Sequence, residues 1–235
     1  LANIVAIMLI GGLFFMFLVM LTTVSAFSGN KKSAIKDNSV LTFDFKTNII
    51  DSPTEDNDDI FDFSEKENNV LVYDMVEAIK KAKTDEKIKG ISIETDGLRA
   101  GMTQLDAVRT ALQDFKKSGK FVYAYGNNVS QPAYYMGSVA DEYFLNPAGG
   151  IELKGLSTEV LYMKSFTEKF GIGTEIIRHG KYKSAVEPFM RDDMSPENKE
   201  QISTMLNDLW SNNATKIAAS RKINANQFKT VVDSL

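Results

Sequence analysis

The sequence predicts an α/β domain with a largely parallel β-sheet, preceded by one apolar segment long enough to cross a membrane. Two observations lead to this fold class. The first 30 residues contain no charged side chain, and all 58 charged residues follow them. In the rest of the chain, apolar segments with the period of a strand alternate with apolar segments with the period of a helix, which is typical of βαβ crossovers.

The apolar segment at the start of the chain is predicted to be a retained membrane anchor. Residues 4–21 are apolar apart from two glycines, and residues 1–27 would extend about 40 Å as a helix, against about 30 Å of hydrocarbon in a bilayer. A cleavable signal peptide is the alternative, because Val24, Ser25 and Ala26 resemble a cleavage site. We favour the anchor, since the run exceeds the roughly 7–15 apolar residues of typical leaders.

The charge boundary also predicts the division of the chain. We expect a transmembrane anchor at residues 1–30, with residues 4–26 in the membrane, then a linker at 31–39 and one globular domain at 40–235. Three lysines follow the anchor, and the positive-inside rule taken alone would place them in the cytoplasm. Because the chain begins without an initiator methionine, we expect its other flank to be missing, so charge leaves the sidedness open.

Composition excludes several classes of function. The net charge of −4 argues against a nucleic-acid-binding protein, which usually has a basic surface. The absence of cysteine excludes disulfides, thiolate metal sites and a cysteine nucleophile. His179 is the only histidine, so a histidine-rich metal site is excluded. The remaining candidates for acid–base chemistry near neutral pH are carboxylates, tyrosines and a lysine with a lowered pKa.

The elements of the domain follow from the periodicity. Five strands are predicted, at Val40–Phe45, Ile88–Ile93, Phe121–Tyr125, Glu142–Leu145 and Thr174–Ile177. Helices are predicted where apolar residues recur every three or four positions: around Val72–Ile79, Leu105–Phe115, Ala133–Gly137, Val160–Phe170 and from Pro196 past Trp210, with Ile202, Met205, Leu209 and Ile217 facing inward. Ser195 and Pro196 form a good helix start. Residues 51–65 hold seven acids and no base, which indicates a solvated loop; they lack the glycine and terminal glutamate of a calcium loop, so we predict no metal site.

The segment after the last predicted strand contains the best candidates for chemistry. In open α/β sheets, sites form at the carboxyl ends of strands. Lys181 and Lys183 lie two residues apart and point to the same side in an extended chain, and Ala185, Val186 and Phe189 could desolvate one of them. Like charge and burial both lower the pKa of a lysine, so one of the two could act as a base. A surface lysine is the ordinary alternative.

The run from Gly180 to Pro196 resembles the signature of the signal peptide peptidase A family, in its long, membrane-anchored bacterial form. The likeness extends to four other parts of the chain, namely the strand Val40–Phe45, Ile88–Thr95, Gly119–Gly126 and Ser130–Gly137, and to Trp210. It implies a crotonase/ClpP-like fold and a serine endopeptidase with a Ser–Lys dyad, no cofactor and no metal, in which Lys183 is the general base. It also implies signal peptides left in the membrane as substrates, a ring-like homo-oligomer, and a place in the cytoplasmic membrane with the domain on its outer side.

This sequence departs from the family where the nucleophile is expected. Short members carry it in a Ser-Gly-Gly-Tyr turn, and the matching position here is Gln131; Ser130, one residue earlier, would aim its hydroxyl elsewhere. The glycine-rich stretch that forms the oxyanion hole is degenerate at residues 96–101. Long members contain two similar halves and hold the nucleophilic serine in the second. We therefore expect this chain to be the first half, with the serine beyond residue 235.

Three alternatives stay beside the protease. This half could serve as a non-catalytic scaffold that assembles through the surfaces near Tyr134, Tyr135 and Met136, or it could belong to a pseudoenzyme. Acyl-CoA chemistry on the same type of fold is less compatible with a membrane anchor. His179 is expected to be structural, and Glu187 is expected to fix the loop that carries Lys183 rather than to act as an acid.

Overall fold

The chain divides into two units, Leu1–Lys36 and Asp37–Leu235. The computed structural model describes residues 10–17, 35–53, 69–177, 179–180 and 182–234. In the first unit residues 10–17 are helical, and most of the predicted anchor lies outside the described residues. Among the helices described, none combines the length and the apolar character needed to cross a membrane.

The second unit is built on a parallel sheet. Its strands are β1 (Ser39–Asp44), β2 (Asn48–Ile50), β3 (Asn69–Leu71), β4 (Ile88–Glu94), β5 (Phe121–Val129) and β6 (Glu142–Ile151). Strands β1, β4, β5 and β6 form a four-stranded sheet in that spatial order, and β2 pairs with β3. Every neighbouring pair is parallel, so the predicted α/β class with a parallel sheet is confirmed.

Helices connect the strands and complete the C-terminal part of the domain. They are α1 (Val72–Thr84), α2 (Met102–Lys116), α3 (Gln131–Gly137), α4 (Lys164–Lys169), α5 (Glu187–Met190), α6 (Pro196–Arg221) and α7 (Ala225–Asp233), with a 3₁₀ turn at Ser184–Val186. Serine side chains cap α3 and α6: the hydroxyls of Ser130 and Ser195 accept the amides of Ala133 and Asn198. The predicted start of α6 at Pro196 is confirmed.

The hydrophobic core lies on one face of the central sheet. Alternate residues of β4 and β5, among them Ile91, Ile93 and Val122, point to this face and are completely buried. Helices α1 and α2 cover them with Ile79 and Leu112. The inward side chains alternate along each strand, so β4 and β5 lie where the apolar pattern of the sequence predicts them.

The opposite face of the sheet is open in the described residues. It carries Tyr123, Tyr125 and Phe144, which are 38%, 41% and 49% exposed. The ring of Tyr123 stacks on Phe121 at 4.6 Å between centroids and meets Phe144 edge-on at 5.8 Å. Parallel sheets usually have both faces covered, so exposed aromatic side chains on a face of a parallel sheet are unusual.

Two predictions for the segment between β6 and α5 are wrong. Residues 174–177 form no strand, because they pair with no other strand among the described residues, and Ile177 is 94% exposed. The apolar pattern is present there, but a strand also needs a partner for its backbone groups. The predicted helix over Val160–Phe170 is reduced to α4, and Phe166 and Phe170 are exposed.

Two surface assignments are also corrected. Met205 and Leu209 were expected to face inward from α6, but they are 53% and 51% exposed, and only the C-terminal part of α6 with Ile217 enters the core. Tyr135 and Met136 were expected to form an assembly surface, but both are buried, because α3 turns this face towards the core of its own domain.

Candidate active site

The predicted base, Lys183, lies on an exposed loop between residue 177 and α5. It directly precedes the 3₁₀ turn Ser184–Val186, and its side chain is exposed. Ala185 and Phe189 are exposed as well, so these apolar neighbours do not bury it by themselves. Within the described residues its ammonium group has no hydrogen-bond or ion-pair partner, and Lys181 lies outside them. His179 is also exposed.

Glu187 fixes the loop that carries Lys183. Its side chain is 1% exposed, and its carboxylate accepts hydrogen bonds from the amide of Ser195 at 3.2 Å, the hydroxyl of Ser195 at 2.5 Å and the side-chain amide of Asn198 at 3.2 Å. Burial raises the pKa of Glu187, but these hydrogen bonds lower it more, so its pKa lies below the usual value of 4.5. The geometry agrees with the expected structural role of this glutamate.

Gln131, which stands where the resemblance implies a nucleophile in short members, is a structural amide. Gln131 donates from its side chain to the carbonyl of Gly155 at 3.1 Å and accepts the amide of Gly155 at 2.9 Å. Ser130 caps α3, since its hydroxyl accepts the amide of Ala133 at 3.4 Å. Both side chains therefore act on local structure, and neither is hydrogen-bonded to Lys183 in the part of the chain that the structure describes.

The turn at residues 96–101, where the resemblance implies an oxyanion hole, presents a carboxylate. Asp96 accepts hydrogen bonds from the amides of Asn127 and Asn128, at 2.8 Å and 3.1 Å, and from the side chain of Asn127. Burial raises the pKa of Asp96, but these hydrogen bonds lower it by more. The pKa of Asp96 therefore lies below its usual value, and the carboxylate stays ionised. Two amide donors at the end of β5 are thus satisfied by a negative charge, and an oxyanion placed there would be repelled.

A hydroxyl pair holds the strand end that precedes Asp96. The hydroxyl groups of Thr95 and Tyr143 lie 2.6 Å apart, and Thr95 also donates to the carbonyl of Tyr125. Burial raises the pKa of Tyr143 to about 12, so this phenol remains neutral and serves as a structural group. Its ring stacks on Tyr134 at 5.7 Å between centroids.

A buried arginine joins three helices, and it was missed by sequence reasoning. Arg109, 1% exposed, donates from Nη1 to the carbonyl of Tyr135 and to Ser138 at 2.9 Å. Its Nη2 donates to the carbonyl of Lys216 at 2.9 Å and to Ser220 at 2.6 Å. Burial lowers the pKa of Arg109, which nevertheless remains charged.

Asp106 supplies the negative charge of the same cluster. Its carboxylate accepts the hydroxyl of Tyr135 and the ammonium of Lys216, each at 2.5 Å. The hydrogen bond from Lys216 is the main cause that lowers the pKa of Asp106. The signal in the sequence is Arg109 itself, because it lies four residues after Leu105 and therefore on the apolar face of α2.

Metal ligands do not converge in the part of the chain that the structure describes. There, no three histidine or acidic side chains come close enough to hold an ion. Most of the acidic run at residues 51–65 lies outside the described residues.

One segment of the chain is similar to known peptidases. It contains the loop of Lys183, the hydrogen bonds between Glu187 and Ser195, and helix α6. The family model "Peptidase family S49" matches residues 114–234, just over half of the chain. The chain belongs to peptidase family S49. This family assignment confirms the resemblance found in the sequence, and the matched segment includes both Lys183 and Gln131.

Three curated relatives of the S49 chain support this assignment. "Protease 4" of Salmonella typhi is 38% identical over 169 residues, which is 70% of this chain and 27% of that protein. "Protease 4" of Haemophilus influenzae is 41% identical over 155 residues, which is 66% of this chain and 25% of that protein. "Serine protease SPPA, chloroplastic" of Arabidopsis thaliana is 35% identical over 132 residues, which is 56% of this chain and 20% of that protein. The chain thus matches about a quarter of the length of these relatives.

Proposed function

We propose that the protein containing this chain is a membrane-anchored serine endopeptidase with a crotonase/ClpP-like fold, in which Lys183 is the general base and the nucleophilic serine lies beyond residue 235. The observation that carries the proposal is that the S49 match includes the loop of Lys183. The relatives named as proteases support the activity. The hydrogen bonds between Glu187 and Ser195 support the role of the loop, because they fix the backbone four residues after Lys183.

The proposed reaction has two steps. Neutral Lys183 removes the proton of the serine hydroxyl while the serine oxygen attacks a peptide carbonyl, and the resulting ammonium gives that proton to the leaving amine. Water then attacks the acyl-enzyme with the same lysine as base, which releases the acid product and the free serine. A lysine base needs an environment that disfavours its charged form. Because Lys183 is exposed here, the polypeptide that brings the serine must also cover it.

Lys183→Ala in the full-length protein tests this mechanism. The readout is hydrolysis of a fluorogenic peptide with an apolar core, and we expect a loss of at least about a hundredfold, the usual contribution of a general base. Lys199→Ala on the exposed side of α6 is the matched control and should keep the wild-type rate. Hydrolysis by Lys183→Ala at the rate of the control would rule out this mechanism.

The membrane part of the proposal rests on the uncharged first 30 residues. We propose a single span, with the domain on the outer side of the cytoplasmic membrane and peptides released in that membrane as substrates. Alkaline carbonate extraction should leave the full-length protein in the membrane and release a variant without residues 1–30. Protease added to intact spheroplasts should digest the domain if it lies outside, and it should spare the domain if it lies in the cytoplasm.

A scaffold role is the second candidate, and the satisfied amides at Asp96 favour it for this half. Exposed apolar side chains between β6 and α5, namely Leu161, Phe166, Phe170, Ile172 and Ile177, would suit contacts in a homo-oligomer. Such a scaffold without catalysis predicts that Lys183→Ala leaves peptide hydrolysis unchanged. The same substitution therefore separates the two candidates.

A further inference from the structure

A cavity lies beside Gln131. Its volume is about 420 Å³, which is in the range of ligand-binding pockets. It opens where α2 and α3 begin after strands β4 and β5, and α6 forms its other wall. Its apolar lining residues are Met102, Pro132, Tyr135, Leu156, Leu209 and Ile217.

Gln131 and Asp106, two of the polar residues at this cavity, are already paired. Gln131 is engaged with the backbone of Gly155, and Asp106 is engaged with Tyr135 and Lys216. The other polar residues of the lining are Thr103, Asn212 and Asn213. Because six of the eleven lining residues are apolar, an apolar group would gain contact with the walls without breaking the hydrogen bonds of Gln131 and Asp106. Leu209 is 51% and Leu156 is 40% exposed, so the cavity presents apolar surface that no described residue covers.

A segment whose backbone groups form no hydrogen bonds among the described residues begins at Leu156, at the edge of the cavity. Residues 156–162 have no regular secondary structure, and none of their backbone N–H or C=O groups has a hydrogen-bond partner among the described residues. None of these residues has a positive φ. An extended peptide could pair with such a segment and place alternate side chains to one side, as in β-strand addition.

We propose that this cavity is a peptide-binding subsite that accepts an apolar side chain, such as leucine, from an extended peptide paired with residues 156–162. A peptide fits both observations, because it supplies an apolar side chain and backbone hydrogen-bonding groups together. The subsite rests on the proposed function for its substrate class, apolar peptides. It does not need the catalytic dyad, because Lys183 does not line it.

Binding is measured by fluorescence anisotropy on the full-length protein carrying Lys183→Ala, so that the peptide stays intact. The probe is a labelled peptide of alternating leucine and alanine with a lysine at each end, and the comparison peptide has serine in place of leucine. Leu209→Asp should weaken binding of the leucine peptide at least tenfold, because a charge then lies in the apolar wall. Met205→Asp is the matched control: Met205 is 53% exposed on the same helix but does not line the cavity, so its change should be under twofold.

Two results would overturn the subsite. One is equal binding by the Leu209→Asp and Met205→Asp proteins, or equal binding of the leucine and serine peptides. The other is a lower melting temperature for Leu209→Asp alone with unchanged peptide binding, since this would show that the protein's own polypeptide fills the cavity. In the protein with Lys183 intact, Leu209→Asp should raise KM and leave kcat unchanged. Failure of the dyad would appear separately, as hydrolysis that survives Lys183→Ala.

Discussion

The carboxylate of Glu187 accepts hydrogen bonds from both the amide and the hydroxyl of Ser195, at 3.2 Å and 2.5 Å. The same hydroxyl accepts the amide of Asn198 at 3.1 Å and thereby caps α6. One buried carboxylate thus ties the loop of Lys183 to the start of a helix of 26 residues. The position of the proposed base therefore depends on a carboxylate that has no step in the proposed reaction.

Glu187→Gln should lower the stability of the domain by about 1–3 kcal/mol, because the new amide group turns a donor towards the donors of Ser195. Thermal unfolding of the full-length protein near pH 7 measures this change. Glu200→Gln, on the exposed side of α6, is the control and should shift the melting temperature little. Equal melting temperatures for the two variants would show that the buried carboxylate is dispensable.

The contribution of Glu187 should also depend on pH. Its folded pKa lies below the usual 4.5, so it stabilises the fold fully above the unfolded pKa, and this stabilisation is lost as the pH falls through the folded pKa. The difference in stability between wild type and Glu187→Gln should therefore be constant near pH 7 and shrink below about pH 4.5. Urea unfolding at several pH values measures it, and a difference that does not change with pH would contradict the assignment.

Adjacent glycines in β6 should respond very differently to alanine. A Cβ atom at Gly149, in the bulge of β6 between Leu145 and Gly150, would lie 1.8 Å from the carbonyl oxygen of Asn127, whereas a Cβ atom at Gly150 would have no atom within 4 Å. We expect Gly149→Ala to cost on the order of 3 kcal/mol and Gly150→Ala to be nearly neutral. Thermal unfolding or the soluble yield of the two variants measures the contrast. Similar values would mean that β5 and β6 separate easily at the bulge.

Arg109→Lys should destabilise the domain by roughly 2–4 kcal/mol, because a single ammonium nitrogen cannot replace the two guanidinium nitrogens that bond four groups. Arg191→Lys is the control. The guanidinium group of Arg191 bonds to the exposed Asp193, through an ion pair at 3.0 Å and a hydrogen bond to its carbonyl at 3.1 Å, so the substitution should change stability by less than about 1 kcal/mol. Chemical denaturation measures both. A neutral Arg109→Lys would indicate that the cluster opens to water.

Gln131→Ala should lower stability and leave the chemistry intact. The loss of both hydrogen bonds to Gly155 is expected to cost about 1–2 kcal/mol, while kcat of the full-length protein in the proposed peptide hydrolysis stays within a few-fold of wild type. Ser130→Ala, which removes only the helix cap, should cost about 1 kcal/mol with the same kinetic result. A drop in kcat of a hundredfold or more for either variant would show that the domain has a catalytic centre at α3.

The sequence was sufficient for the elements whose periodicity coincides with burial. Strands β4 and β5 and helix α2 follow from residues such as Ile91, Val122 and Leu112, because these side chains are buried within the domain itself. The pattern at residues 174–177 has the same character, but Ile177 is exposed. Periodicity shows which side chains suit a core or a partner, and it does not show whether the partner belongs to the same domain.

The candidate site was predicted only in part for a similar reason. The spacing of the two lysines left Lys181 and Lys183 open, and the family resemblance indicated Lys183. The partners of Glu187, however, are eight and eleven residues away, and the contacts of Arg109 with Lys216 and Ser220 are more than a hundred residues away. Pairing across such separations is set by the packing of α2, α3 and α6. A charged residue on an apolar helix face was the one local sign of it.

The contact between Asp96 and the amides of Asn127 and Asn128 ties the end of β4 to the end of β5. Because these donors are committed to a carboxylate, a serine introduced at position 131 would not by itself gain them as donors for an oxyanion. Removal of Asp96 alone would free the two amides and break the link between the strand ends. A new catalytic centre at this edge of the sheet would therefore require changes at both positions.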